Sequence, residues 1–404
     1  MFVIYFITLV CAVGGSWKCF HKLANPILFY GVIWGSIVAL YQLRLSAWQA
    51  PLSDATYVVL LVALGAFALP CLAAGALANR GSAGRIGSLK LPGFRFTLAL
   101  FLVWLGIEAF EVVAAGGIPV IWHLTGDVRT YFDFGVPTLH GLMNALGLSI
   151  ILCLAESALN DSGHRWPSVA IICVMLLFYL CILTRQVLIS AAIEIAVLVM
   201  LERPSLFRKA IVPALFIGII VFGLLGNVRT GYEGFLAVAM LSSALPPLLI
   251  GFDWVYMYLT MTLANVNSLV MMGADPIGLP LLASYLPSAL KAVLGVSAVT
   301  GASFIVSPNF TVSGYFAEAY LGFGILGVAV ISALYGAFSG IAFSKAGRGA
   351  PIWRMLYAVM LEMVLLSFFD DMLLYFPNSF QLILIPLIAL IATNLNCCRS
   401  VQGK

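Results

Sequence analysis

The sequence predicts an all-α, polytopic membrane protein of about eleven transmembrane helices. Three observations carry that expectation. First, 63% of the 404 residues are hydrophobic and only 9% are charged, against roughly 25% charged in a water-soluble domain. Most of the molecular surface must therefore face something other than water. Second, apolar runs of about 20 residues recur, each long enough to cross a hydrocarbon core of roughly 30 Å and too continuous for barrel strands. Third, Lys and Arg are shared unevenly between the connecting segments. This composition excludes a soluble enzyme. The net charge of +4 does not imply a nucleic-acid partner.

Taken in order, residues 1–15 form a short first span, since no charged region precedes it and no small-residue cleavage site follows. Uninterrupted apolar runs at 26–43, 55–78, 96–115 and 138–158 supply the next four. The stretch from Pro167 to Leu201 contains no later Gly or Pro to mark a turn, yet one helix of that length would reach roughly 52 Å. Both flanks are basic, so it divides into 167–184 and 186–201 with Arg185 at the turn. Spans at 210–226, 312–343, 355–369 and 379–396 complete the set, the ninth long enough to extend beyond the membrane. Fifteen Lys and Arg then fall on one side, and only Arg44, Arg129, Arg185, Arg229 and Lys291 on the other. The asymmetry places the N-terminus outside and the C-terminus in the cytoplasm.

Between the eighth and ninth spans, residues 226–310 form a large outer loop rich in Leu, Tyr, Trp and Met. Trp254, Tyr256, Tyr258 and Tyr285 suit a membrane interface, where a ring stays dry and its polar tip wet. Horizontal amphipathic helices are expected here, broken at Pro246-Pro247, Pro276, Pro280 and Pro287. The chain is read as one integral membrane domain, 1–404. Its eight cysteines fall mostly in apolar runs without metal-ligand spacing, which suits small buried hydrophobes.

Basic residues against the topological trend need a reason. Arg129, Arg185 and Arg229 stand where helices emerge or turn; converging on one cavity, they would hold phosphate bidentately. The alternative for each is a snorkel to lipid headgroups, the reading that also suits Arg44 and Lys291. Glu108 and Glu111 share a helix face within an apolar run, where pairing with an arginine explains them as well as proton chemistry does. The adjacent acids Asp370 and Asp371 lack further ligands, so no metal site is predicted. Asn265 and Asn267 read as loop hydrogen-bonding groups.

Several short motifs occur in a characteristic order. They are Gly116-Gly117-Ile118-Pro119, Arg129, the run from Phe134 to Gly141, Thr184-Arg185-Gln186, Gly226-Asn227-Val228-Arg229, and Tyr320 to Gly327. Together they resemble the bacterial oligosaccharide repeat-unit polymerases of the O-antigen polymerase (Wzy) type, over residues 100–345. The resemblance implies a GT-C-like helical core with a large periplasmic loop, in the bacterial inner membrane. It implies transfer of a growing glycan from undecaprenyl pyrophosphate to a second undecaprenyl-pyrophosphate-linked repeat unit, on the periplasmic side. Donor and acceptor oligosaccharides and membrane lipid would be the partners, with a chain-length regulator protein as a further one. The donor is already activated, so no cofactor is expected. Arg129, Arg185 and Arg229 would neutralise the departing pyrophosphate, and Glu318, His123 and Asp127 are the candidates for the proton chemistry at the acceptor hydroxyl. Asp133 and His140 are expected to orient Arg129. The family often carries Asp where this chain has Gly322, so any role for that acid falls to another group or is absent, and it is not transferred.

Three other readings compete, one of them a structural membrane protein without chemistry. A ligase moving finished polymer onto lipid A core shares donor and architecture, but the stretch from Pro308 to Ser313 lacks the histidine that family shows. A flippase or secondary transporter would show inverted repeats, and none is evident.

Overall fold

The computed structural model describes residues 1–22, 24–80, 84–273, 275–297 and 304–402, without the side chains of residues 84, 85, 228, 229 and 396–402. Arg85, Arg229, Arg399, Cys397 and Cys398 are therefore beyond side-chain description, and Lys404 lies outside it altogether. The described chain is helical and contains no strand. In order come α1 (Phe2–Phe20), α2 (Pro26–Tyr41), α3 (Asp54–Arg80), α4 (Gly84–Gly87), α5 (Phe94–Ala115), α6 (Pro119–Thr125), α7 (Leu139–Asn160) and α8 (Arg165–Cys181). They are followed by α9 (Arg185–Glu202), α10 (Pro204–Thr230), α11 (Tyr232–Ala239), α12 (Ile250–Met272), α13 (Ser288–Leu294), α14 (Gly314–Ala346), α15 (Pro351–Leu365) and α16 (Phe376–Gln402).

Local chemistry explains the helix boundaries. Asn25 caps α2, its side chain accepting from the backbone of Ile27 and Leu28, and Pro26 occupies the first helical position. The stretch after Pro167 does break, at 182–184, where Leu183 takes a left-handed conformation (φ 60°) and Arg185 begins α9. Among the described residues, eight stretches are long and apolar enough to cross a membrane. Large apolar side chains such as Leu69, Leu102, Val212, Ile217 and Ile383 point outward from these helices. A surface of that kind marks a protein embedded in lipid. Of the six described cysteines, only Cys71 and Cys153 are buried; Cys11, Cys19 and Cys173 belong to the outward-facing surface, against expectation.

Close helix contact comes from small residues. Gly336, Gly340 and Ser344 of α14 lie against Phe67, Cys71 and Gly75 of α3, the two helices running parallel. A Cβ at Gly336 would stand 2.0 Å from the Phe67 carbonyl oxygen, and one at Gly340 2.2 Å from that of Cys71. Without a hydrophobic drive in lipid, such backbone approach is what holds helices together. At the end of the bundle where α9 and α14 finish, Arg354 donates to the buried Glu156 of α7, to Glu202 of α9 at 2.7 Å, and to the Gly349 carbonyl at 2.7 Å. One guanidinium thus fastens three helices.

The opposite end is rich in loops. The sequence reading left 250–272 inside a loop of short interfacial helices; instead it forms the 23-residue α12. Several of its polar side chains meet connecting segments or helix starts at this end. Tyr256 accepts from Leu45 N–H and donates to Gln49 (2.8 Å). Asn267 binds Pro51, Ser53 and Thr56, Asn265 binds Val306, Phe310 and Val312, and Thr262 donates to Phe368. Both asparagines thus tie connecting segments to α12. Trp254 and Tyr256 are buried and not at a lipid interface. The expected breaks at Pro246-Pro247, Pro276 and Pro287 do separate helical elements.

Candidate active site

The ninth apolar segment is two helices joined at a kink. Within α14, Phe323 and Gly324 leave helical geometry, Gly324 at φ 61° and ψ −151°, a region essentially reserved for glycine. The kink frees the carbonyls of Leu321 and Gly322, and the outer segment takes them: Ile277 N–H donates to the first at 2.9 Å, Gly278 N–H to the second at 2.7 Å. A 3-10 turn, Leu279–Tyr285, continues along the short upper helix. There Leu281 fills the space a side chain at Gly322 would need, 2.9 Å from an added Cβ. One helical turn earlier on the same face, Glu318 accepts a hydrogen bond from the Tyr285 hydroxyl.

Glu318 faces a cavity of about 280 Å³ shared with Ser284, Tyr285, Asp370, Asp371 and the run from Leu374 to Pro377. The floor comes from the α15–α16 connection, the wall from the outer segment. Asp371 is buried, and its carboxylate accepts from the Tyr335 hydroxyl (3.1 Å) and Leu373 N–H (3.2 Å). Burial pushes its pKa up to about 7, with the neighbouring Asp370 raising it further against those hydrogen bonds. Asp370 is raised in the same direction by burial, and burial lifts the Tyr375 hydroxyl to about 12. Carboxylates that accept hydroxyl protons beside flat aromatic rings form a chemically suitable lining for a sugar.

Of the predicted site residues Glu318 lines this cavity, and Arg129, Arg185, Arg229, His123 and Asp127 are not among its described lining residues. Arg129 lies in the loop between α6 and α7. Its guanidinium stacks over Trp122, with the central carbon 4.3 Å from the ring, pairs with Asp127 at 2.6 Å and donates to the C-terminal Ala115 carbonyl of α5 at 2.8 Å. Nε, one Nη1 donor and one Nη2 donor are thereby committed, which leaves two N–H groups for an anion. Asp127 is held below the ordinary carboxylate range by that hydrogen bond, which makes it an orienting anion and a weak base. Asp133 accepts from Thr130 and His140 binds Glu111, so neither is a hydrogen-bond partner of Arg129. His123 is exposed on α6.

Arg185, half-buried, heads α9 next to Gln186, whose side chain meets Met372 in the connection that floors the cavity. Arg229 stands in the last turn of α10, its side chain outside the described residues. Lys291, rated weaker in the sequence, donates at 2.8 Å to the carbonyl of Ser284, a cavity residue. The outer segment also touches the Arg129 loop, since Thr138 Oγ1 accepts from Ala289 N–H at 3.0 Å. Asp370 and Asp371 were legible only as an acidic pair; nothing in the sequence brought them to Glu318. Comparison with protein-family models, curated proteins and solved structures returned no match.

Proposed function

We propose that the chain is a membrane glycosyltransferase that polymerises undecaprenyl-pyrophosphate-linked repeat units, independent of any cofactor. In this reading eleven helices span the inner membrane: α1–α3, α5, α7–α10 and α14–α16. α12 packs across the loop-rich end, which faces the periplasm, and the core is GT-C-like. The observation that carries the reading is the position of Glu318. It stands above a glycine kink, one turn from Gly322, over an open cavity lined with acids and aromatic rings. Glu318 is the acid that replaces the family's missing aspartate.

In the proposed reaction Glu318 accepts the proton of the acceptor sugar's hydroxyl, whose oxygen bonds to the donor's anomeric carbon. The anomeric carbon–oxygen bond breaks, and the electron pair departs on the pyrophosphate. Arg129, Arg185 and Arg229 receive the developing charge, with Lys291 contributing from the cavity rim. Such prepositioned cations act where charge appears. Asp127 serves to hold the Arg129 fork in place, with its free edge toward solvent.

The test is reconstitution. Purified protein in liposomes, supplied with a lipid-pyrophosphate repeat unit, is expected to give a ladder of products spaced by one unit. Transfer onto lipid A core alone would identify a ligase. Movement of the lipid between leaflets without a new glycosidic bond would identify a transporter.

A further inference from the structure

On the far side of the Arg129 loop, Glu108 and Glu111 of α5 meet His140 at the start of α7. One ligand atom from each lies within 4.8 Å of the other two. Glu108 is fully buried, and neither of its carboxylate oxygens has a hydrogen-bond partner among the described residues. An ionised carboxylate in that state costs several kcal/mol unless something positive joins it. Glu111 is equally buried, with one oxygen accepting Val136 N–H at 2.9 Å and the other 2.8 Å from His140 Nδ1. Two ligands on one ion at bonds of about 2.1 Å stand about 3 Å apart at a right angle and about 3.4 Å apart in a tetrahedron, so a small widening of the 2.8 Å pair accommodates a shared cation.

The surroundings hold the three donors in place. Gly135, at φ 88°, lies so close to His140 that a Cβ there would be 2.6 Å from the ring. Phe134 meets the same ring edge-on, at 5.5 Å between centroids. The backbone of Val136 orients Glu111. Fixed ligands with hydrogen-bonded outer partners are the mark of a built metal site. The imidazole side chain is 23% exposed, which gives an ion a way in.

We propose that Glu108, Glu111 and His140 bind one divalent first-row transition ion, of the Zn²⁺ or Mn²⁺ class. One imidazole and two carboxylates suit those ions in donor type, and two ionised glutamates match the charge of a dication. The ion joins α5 to the 134–140 segment, whose Thr138 carries Ala289 of the outer segment. Its role is to fasten the loop that presents Arg129, and it is independent of the glycosyl-transfer reading.

Metal counting tests it. The full-length protein in detergent is stripped with EDTA, incubated with Zn²⁺ or Mn²⁺ separately, desalted and assayed by inductively coupled plasma mass spectrometry. Wild type is expected to retain one equivalent more than Glu108→Gln, a difference that cancels metal held by the exposed cysteines. The same ion should raise the thermal midpoint of wild type and leave that of the variant unmoved. His140→Asn, at the accessible edge, gives the same comparison if Glu108→Gln fails to fold. Equal metal content in wild type and a folded variant, or a midpoint indifferent to both ions, overturns the proposal.

Discussion

The Tyr285 hydroxyl donates to the Glu318 carboxylate, joining the outer segment to the short upper helix of α14. This contact makes the cavity's wall and its acid a single unit. Removing a general base costs roughly 10²–10⁴ in rate. Glu318→Gln, which keeps the shape and loses the base, is expected to lower polymerisation by that factor at unchanged protein level. Tyr285→Phe is expected to fall about tenfold, because it loses orientation alone. Full ladders from Glu318→Gln in the liposome assay would remove Glu318 from the chemistry.

Arg→Lys at 129, 185 and 229 separates charge from shape. Lysine keeps the cation and loses the planar fork; at 129 it also loses the two-point pairing with Asp127 and the stacking on Trp122. Each substitution is expected to shorten products at normal expression. Wild-type chain lengths in all three would retire pyrophosphate binding by these residues.

The burial of Asp371 has a pH signature. Its folded pKa of about 7 lies above the ordinary value of 3.8, so the folded state holds a proton that the unfolded chain has lost. The associated stability is complete below about pH 4 and disappears as pH rises through 7, with a slope of at most about 1.4 kcal/mol per pH unit. Thermal midpoints measured from pH 5 to pH 8 should fall for wild type and flatten in Asp371→Asn. A variant as steep as wild type would show that the proton is held elsewhere.

At the other end of the bundle, Arg354→Ala leaves Glu156 buried without its cation. Breaking a buried pair from one side costs about 3–5 kcal/mol, and among the described residues Glu156 has no second cation as a hydrogen-bond partner. The variant is expected to lose monodispersity in detergent at temperatures that wild type tolerates. Arg354→Met, of similar reach, should show the same loss, and intact behaviour in either would argue against the clamp.

Gly324→Ala meets no steric obstacle, since the nearest atom to an added Cβ is Pro276 Cγ at 3.7 Å. The difficulty is conformational, and roughly 1–3 kcal/mol of strain follows at φ 61°. Lower stability with a larger loss of activity is expected, because the upper helix that carries Glu318 must shift.

Much of the fold was legible because lipid imposes simple rules. Apolar run length located the long helices, and the basic flanks of 167–201 rightly divided that stretch at Arg185. α12 escaped because Asp253, Asn265 and Asn267 lower its hydropathy, while their partners come from distant segments. The kink lay within a quoted motif, but its geometry needed the glycine's dihedral angles. The cavity was invisible for a further reason: Asp370 and Asp371 become relevant only when the α15–α16 connection folds under Glu318. The same holds for His140, which the sequence assigned to Arg129 and the structure gives to Glu111.

The two backbone bonds from Ile277 and Gly278 to the bent helix have a mechanical corollary. Lifting that strip away would remove the donors of two carbonyl oxygens, which straightening of the helix at Gly324 would restore. Separation of the strip and movement of the helix that carries Glu318 are thereby one motion with one hinge.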